Sequence, residues 1–516
     1  MSTPSFVKSA LIITMATLVS KVLGSVFLIP LQNIAGDEVF GIFRFVYPFY
    51  MVALILSVAG IPIAISKLIS EARAEGHSSS VRDIFATASI LALAFGVVTF
   101  SLMFSLSGPF AKWFWNDTAQ LSLAVVSVTL LVAPYMAVYR GFFQGFDDMR
   151  PTAFSQMFEQ FVRAGVTLIA AYVFVQLGTD VSTLAGYVMT GSIAGVVVSL
   201  FYLRWTWIRS PFRPHAEEPY TVARFLSWSK RILSLSLPVA VGTLTMALLN
   251  LVDSMTIPNA LDGDPSILYS LYGRGVTLVQ IATVFSSAII LPLIPRITRA
   301  LTTNNDGEAK LFVTRSLNMA HLISWPAAVG LVALVVPVNI ALFKDASGSE
   351  AIALLSVSSL FTSFSVLTTG ILQGIGRARM AAYIIIGAVL IKAMLNMWLT
   401  QTASISGAAI ATIIVYALIW LVNVWLSQRT LPYSVQWRTP IVCFIASVIM
   451  GAFIGTPWLL IDGLVSSRGS ALLYVIIAIP VGALLYAALV LFGRGVNRDE
   501  LQMIPGASRF FKKTLH

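Results

Sequence analysis

Long apolar stretches alternate with short polar breaks along the whole chain. Most stretches run for about 20 residues or more, which at ~1.5 Å rise per residue carries a helix across a ~30 Å hydrocarbon layer. The pattern predicts about fourteen spans, at approximately 6–34, 39–70, 84–108, 119–142, 152–177, 182–207, 233–258, 271–298, 315–342, 351–373, 380–400, 406–427, 439–461 and 471–493. The breaks carry turn chemistry: Gly36-Asp37, Gly76-His77-Ser78, Gly108-Pro109, Asp147-Asp148, Gly178-Thr179-Asp180, Gly263-Asp264-Pro265 and Asn304-Asn305-Asp306-Gly307. Gly60-Ile61-Pro62, Pro134 and Pro326 fall inside spans and predict bent or broken helices. Gly191-x-x-x-Gly195 predicts a close helix contact.

Composition sharpens the class to an all-α polytopic membrane protein. Hydrophobic residues make up 57% and charged residues 11%, with a mean hydropathy of +0.86, against roughly 25% charged in a soluble domain. A soluble α/β enzyme is excluded. Lys21 interrupts the first apolar run and no small-residue cleavage site follows, so this run reads as a retained helix rather than a signal peptide. A single cysteine, Cys443, offers neither a disulfide framework nor a thiolate site. His77, His215, His321 and His516 are scattered and form no metal cluster. No Gly-x-x-x-x-Gly-Lys-Ser/Thr loop is present, so the chain is expected to be a transporter without its own ATPase and to need no cofactor.

The net charge of +11 is mostly a topology signal. With the N-terminus inside, most Lys and Arg fall on the even-numbered connections and the termini, which places both termini in the cytoplasm. That basic face would attract anionic lipid, so nucleic acid is not needed as a partner.

The two halves repeat. Gly141-Phe142-Phe143-Gln144-Gly145 recurs 229 residues later as Gly370-Ile371-Leu372-Gln373-Gly374. Arg163 has its counterpart in Lys392, and Arg44 in Arg274. A same-sense repeat needs an even number of spans per unit, and six fits. The expected divisions are therefore 1–232, 233–428, and an unrepeated appendage of two spans over 429–516.

Five cations, Lys21, Arg44, Arg163, Arg274 and Lys392, lie within or beside the spans. Lys21 falls near mid-bilayer, where an ammonium costs at least ~2.5–3.5 kcal/mol; it needs water, a substrate anion or an ion pair. Arg163 lies at similar depth with Glu159 four residues earlier, so either an intrahelical pair or a substrate contact would neutralise it. In the pair reading, Glu159 would be the partner released when substrate binds. Lys392 has no acid within a turn, only Asn396 at i+4. Arg44 and Arg274 begin spans near the outer leaflet and would either snorkel or rim a cationic cavity. Asp253, with Asn250 three residues before it, is the rare acid inside a span and could hold Na⁺, carry a proton or pair with Lys21.

Several stretches together resemble the multidrug/oligosaccharidyl-lipid/polysaccharide exporter superfamily, in its stage V sporulation protein B and MurJ-like branch. They are Ser20-Lys21-Val22-Leu23-Gly24, Gly60-Ile61-Pro62-Ile63-Ala64-Ile65-Ser66-Lys67, Arg140-Gly141-Phe142-Phe143-Gln144-Gly145, Glu159-Gln160-Phe161-Val162-Arg163, Leu237-Pro238…Asn250…Asp253 and Tyr272-Gly273-Arg274-Gly275. The resemblance implies two pseudo-symmetric six-helix lobes in a V shape plus two C-terminal helices that form a lipid-tail groove. It implies flipping of an undecaprenyl-diphosphate-linked oligosaccharide, such as a lipid II-like peptidoglycan precursor, across the bacterial cytoplasmic membrane by alternating access. The diphosphate contacts of similar flippases would fall on Lys21, Arg44 and Arg274. Lysine at position 21 is a departure, a point charge in place of an arginine fork.

Energy would come from Na⁺, H⁺ or the membrane potential. The partners expected are the lipid-linked glycan, membrane lipids and cell-wall synthesis machinery, with a monomer as the working unit. The alternative on the same architecture is a cation-coupled multidrug exporter, against which the excess of intramembrane cations over acids weighs. A membrane glycan polymerase or ligase is disfavoured by the short predicted outer loops.

Overall fold

A computed structural model describes residues 3–58, 60–75, 78–212, 219–434 and 436–495. Gly76, His77, His215 and His516 lie outside the described residues. The described chain is helical, without a strand. Ten of its stretches are long and apolar enough to cross a membrane, among the described residues. Two of the ten, Met15–Ala74 and Ala378–Thr430, run for 60 and 53 residues. Burial is inverted relative to a soluble protein: Arg274 and Asn396 are 0% exposed, whereas Met394 and Leu484 are each 73% exposed. Only a solvent of lipid tails makes that arrangement favourable. The chain is a multi-pass membrane protein.

Contacts group the residues into two compact units, Met1–Gly273 with Asn396–Gln401, and Arg274–Leu395 with Thr402–His516. Compactness thus assigns 233–273 to the first unit, a division different from the repeat boundary at 232.

The first unit begins with α1 (Thr3–Val26), α2 (Leu28–Val58), α3 (Ile61–Ala74) and α4 (Ser78–Phe114). It continues through α5 (Gln120–Ser127), α6 (Thr129–Gly145), α7 (Arg150–Gln176), α8 (Val181–Val188), α9 (Thr190–Ile208) and α10 (Val222–Ala260). Several of the expected breaks are visible as backbone geometry, whereas Gly108-Pro109 lies inside α4 and does not interrupt it, and Pro134 and Pro326 lie within continuous helices. Gly36 turns α2 at φ 83°. Gly60, at φ 87°, opens α3 with a proline in its first turn. Gly178 takes φ 64°, and the Asp180 carboxylate accepts the Thr183 amide at 3.0 Å to cap α8. The core joins Ile65, Ile69, Ile84, Tyr139, Phe142 and Leu203.

The second unit holds most of α11 (Pro265–Thr302), then α12 (Asp306–Ala333), α13 (Val335–Phe343), α14 (Ser349–Gly374), α15 (Ala378–Thr430), α16 (Arg438–Leu460) and α17 (Arg468–Phe492). α15 is broken at Ala403 and Ser404, the latter at φ 52°. α16 and α17 dock on α12 and α13. Trp458 Nε1 donates to the Ala333 carbonyl at 2.9 Å, and Tyr486 donates to that of Leu322 at 2.9 Å.

The last glycine of the repeated motif packs against an isoleucine in each unit. On α6, a Cβ at Gly141 would lie 2.9 Å from Pro62 Cα, and one at Gly145 would lie 2.8 Å from Ile69 Cβ. On α14, a Cβ at Gly374 would lie 3.2 Å from Ile297 Cβ. The last carbonyl of each motif is capped, Gly145 by Arg73 at 2.8 Å and Gly374 by Thr298 at 3.1 Å.

Candidate functional site

Two cations of the first unit, Lys21 and Arg163, lie at the seam between α1 and α7. Thr17 Oγ1 donates to Gln156 Oε1 at 3.3 Å. One helical repeat further, a Cβ at Gly24 would lie 3.2 Å from Gln160 Oε1 and 3.3 Å from Arg163 Nη2. Residues 17, 21 and 24 are spaced i, i+4, i+7 and share a face, as do 156, 160 and 163. Lys21 therefore lies on the α1 stripe turned to α7, and it is exposed.

Arg163 is 8% exposed. Its Nη2 donates to Gln160 Oε1 at 2.6 Å and its Nη1 to the Tyr47 hydroxyl at 3.2 Å. The guanidinium sits 5.7 Å from the ring centroids of both Phe27 and Tyr47. Phe43 braces those rings, stacked on Tyr47 at 5.7 Å and edge-on to Phe27 at 6.1 Å. On the other side of α7, a Cβ at Gly195 would lie 2.5 Å from the Glu159 carbonyl and 3.1 Å from Arg163 Cβ. The two glycines of Gly191-x-x-x-Gly195 thus bring α9 against α7 beside Arg163.

The intrahelical Glu159–Arg163 pair, one of the two alternatives for Arg163, is not formed among the described residues, and Glu159 acts on Arg163 only through space. Glu159 Oε2 instead accepts Arg140 Nη2 from α6 at 2.7 Å, and Arg140 is further held by Ser155 at 2.9 Å and Ser199 at 3.2 Å. Residues four apart share a face but need not turn their end groups to one another when a neighbouring helix offers a better-placed partner.

A second polar cluster surrounds Asp253 on α10. The carboxylate is 6% exposed; Oδ1 accepts Asn396 Nδ2 at 2.8 Å and Oδ2 accepts the Tyr272 hydroxyl at 3.3 Å. Asn396 also donates to Thr256 Oγ1 at 3.0 Å. Asn396 Oδ1 and Thr400 Oγ1, one turn apart on α15, are buried without a hydrogen-bond partner among the described residues. Arg44 on α2 is half-buried. Its electrostatic neighbours are Tyr269, Tyr272, Tyr47 and Asp253, and it forms no ion pair among the described residues. Asn250, expected beside Asp253, has an exposed side chain, and only its backbone carbonyl is engaged, by Ser254 at 3.3 Å.

In the second unit, Arg274 is fully buried and makes a fork to Asp345, Nη1 to Oδ1 at 2.9 Å and Nη2 to Oδ2 at 3.1 Å. Its guanidinium lies 5.3 Å from the Phe343 ring centroid. Burial raises the Asp345 carboxyl, but the Arg274 hydrogen bonds and the Ser347 amide at 2.8 Å more than offset this and hold it below its ordinary value. Lys392, 1% exposed, lies 5.5 Å from the ring centroid of Tyr416.

The structure brings Lys21 and Arg163 to one seam, gathers Asp253 and Asn396 into one cluster, and gives Glu159 and Arg274 opposite charges as partners. Sequence reasoning missed Gln160, Tyr47, Arg140 and Asp345. Gln160 carried a signal, since it lies at i−3 from Arg163 on the same helix face. Asp345 carried none, lying 71 residues from its partner.

A family model described as polysaccharide biosynthesis protein matches residues 6–301. The chain is 27% identical over 514 residues to the membrane protein YabM of Bacillus subtilis (strain 168), covering 98% of this chain and 96% of that protein. It is 26% identical over 543 residues to the lipid II flippase MurJ of the same organism, covering 99% and 98%. Among solved structures, the inward closed conformation of lipid II flippase MurJ matches with TM-score 0.70 at 14% identity, covering 94% of this chain and 99% of that one. An inward-facing multidrug resistance MATE family transporter of the MOP superfamily matches with TM-score 0.62 at 16% identity, covering 82% and 97%. At these identities, the likeness to the solved structures is one of fold.

Proposed function

Because the chain belongs to the polysaccharide biosynthesis protein family, we propose that it is a flippase. Its substrate is an undecaprenyl-diphosphate-linked oligosaccharide, a lipid II-like cell-wall precursor, carried across the bacterial cytoplasmic membrane by alternating access of a basic intramembrane site. The observation that carries this reading is the pair of cations at the α1–α7 seam that forms no ion pair among the described residues. Arg163 is buried with neutral hydrogen-bond partners, Glu159 acting on it only through space, and Lys21 is exposed on the facing stripe. A diphosphate offers the matching negative charge, and its oxygens accept an arginine fork and a lysine point charge in complementary ways. Arg44 belongs instead to the Asp253 cluster and shares only Tyr47 with Arg163.

The remaining intramembrane charges have other work in this proposal. Arg274, already neutralised by Asp345, anchors the loop before α14, and Lys392 belongs to the packing around Tyr416. Asp253 carries the coupling cation, Na⁺ or H⁺, with Asn396 Oδ1 and Thr400 Oγ1 as further oxygens. A cationic drug would meet a site of the wrong sign at the α1–α7 seam, which argues against export of the multidrug type.

The test is reconstitution into vesicles with fluorescent lipid II, scored by headgroup exposure to an external quencher. Wild-type protein should equilibrate the probe, and the double variant Lys21→Ala, Arg163→Ala should lose about tenfold or more in rate while inserting normally. Wild-type rates in that variant would remove the basic site from the mechanism. A wild-type protein that moves no lipid-linked glycan would remove the function.

A further inference from the structure

Gln160 has no place in the reading so far, yet it determines what Arg163 can do. A buried arginine is ordinarily matched by a carboxylate, because an unpaired charge in a low-dielectric surrounding is costly. Here the neighbouring carboxylate, Glu159, is turned away to Arg140 at 2.7 Å. The carboxamide of Gln160 takes its place at 2.6 Å from Arg163 Nη2. It supplies an acceptor without cancelling the charge.

Three further features surround this contact. Arg163 Nε is buried and has no acceptor among the described residues, and an orphan donor in a side chain this buried calls for one. Gln160 is half-buried; with Oε1 committed to Arg163, its amide nitrogen donates to no protein group among the described residues. Across the seam, Gly24 lets α1 come close to the pair, since a Cβ there would lie only 3.2 Å from Gln160 Oε1 and 3.3 Å from Arg163 Nη2. Lys21 lies one turn before that contact on the same stripe.

We propose that Gln160 is a positioning residue that keeps Arg163 charged and unneutralised, and that Arg163, the Gln160 amide and Lys21 form a subsite for a phosphate group of the lipid-linked headgroup. Tyr47 completes it by fixing the second arm of the guanidinium. The subsite deepens the flippase reading and rests on it for the identity of the ligand, but it makes a claim about binding that does not depend on transport.

The experiment exploits a sign difference. Glutamate at position 160 is a better partner for Arg163 than glutamine. A purely structural role predicts that Gln160→Glu keeps or raises the melting temperature and leaves ligand binding alone. The subsite predicts that the melting temperature is kept while undecaprenyl diphosphate, offered without sugar to the purified full-length protein in nanodiscs, binds about tenfold more weakly. Gln160→Met, which removes the amide but adds no charge, should weaken binding less, by about threefold.

Undecaprenyl phosphate and phosphatidylglycerol are run as competing ligands. Competition by phosphatidylglycerol equal to that of the diphosphate would make this a bilayer-lipid site and overturn the proposal, as would Gln160→Glu binding within twofold of wild type. Should Gln160→Glu fail to fold, Gly24→Val crowds the pair from the other helix. It should weaken binding similarly, and unaltered binding there would be equally decisive against the subsite. Diphosphate binding without any glycan flipping would sink the proposed function and leave the subsite standing. Flipping by wild type together with undiminished binding in Gln160→Glu would do the reverse.

Discussion

Arg163 in the first unit and Arg274 in the second are both more than nine-tenths buried, and both carry an aromatic ring beside the guanidinium. Their hydrogen-bond partners differ in kind. Arg274 is forked to Asp345, so its positive charge is matched on the spot. Arg163 is held by Gln160 and Tyr47, which orient it and leave the charge in place. Burial alone therefore says little about whether an intramembrane cation is available to a substrate. Compensation does, and it separates an arginine that staples a loop from one suited to an anion.

The contrast can be broken most forcefully at the neighbouring matched pair, Arg140–Glu159, whose side chains are 13% and 15% exposed. Glu159→Gln should strand Arg140 and cost about 3–5 kcal/mol, the usual penalty for uncoupling a buried pair. The expected result is a large fall in melting temperature in nanodiscs; an unchanged melting temperature would mean that compensation is not what stabilises these helices.

A smaller effect is expected at Asp345, whose side chain is 44% exposed. Water partly replaces a lost partner there, so Asp345→Asn should destabilise by only about 1–3 kcal/mol. It should leave undecaprenyl diphosphate binding unaltered, in contrast to Gln160→Glu, which should do the opposite. Loss of binding in Asp345→Asn would put Arg274 back among the substrate contacts.

The smallest effect is on pH dependence. The Asp345 carboxyl is held below its ordinary value by Arg274, so its contribution is complete above the unfolded aspartate value of about 3.9 and is lost as pH falls through the lower folded value. The difference in melting temperature between wild type and Asp345→Asn should stay flat from about pH 8 to 5 and shrink only below about pH 4. A difference that already declined near neutrality would show that Arg274 is not what holds this carboxyl down.

Much of the fold was legible along the chain. Glycine at positions 36, 60 and 178 marked turns of the backbone because positive φ is strained for other residues. Gly191-x-x-x-Gly195 marked a close helix contact because only a missing Cβ admits a neighbouring helix at that distance. The candidate site was legible in its residue types and not in its pairings. Glu159, four residues before Arg163, was the natural partner by spacing, and Arg140 displaced that pairing from another helix. Asn396 reaches Asp253 from 143 residues away, while Asn250, the nearer amide in sequence, is turned outward.

That division has a physical cause. Whether a segment becomes a membrane helix depends on its own backbone hydrogen bonds and summed hydrophobicity, which are local quantities that a window of about 20 residues contains. The sequence by itself therefore settled the helical class, several of the breaks and the presence of cations within the apolar helices. Whether a charge is matched depends on which group comes within about 3 Å of it, and those distances arise only when helices far apart in the chain pack together. Tertiary packing alone decided that Asp345 would neutralise Arg274, and that Arg163 would be held by groups that leave its charge intact.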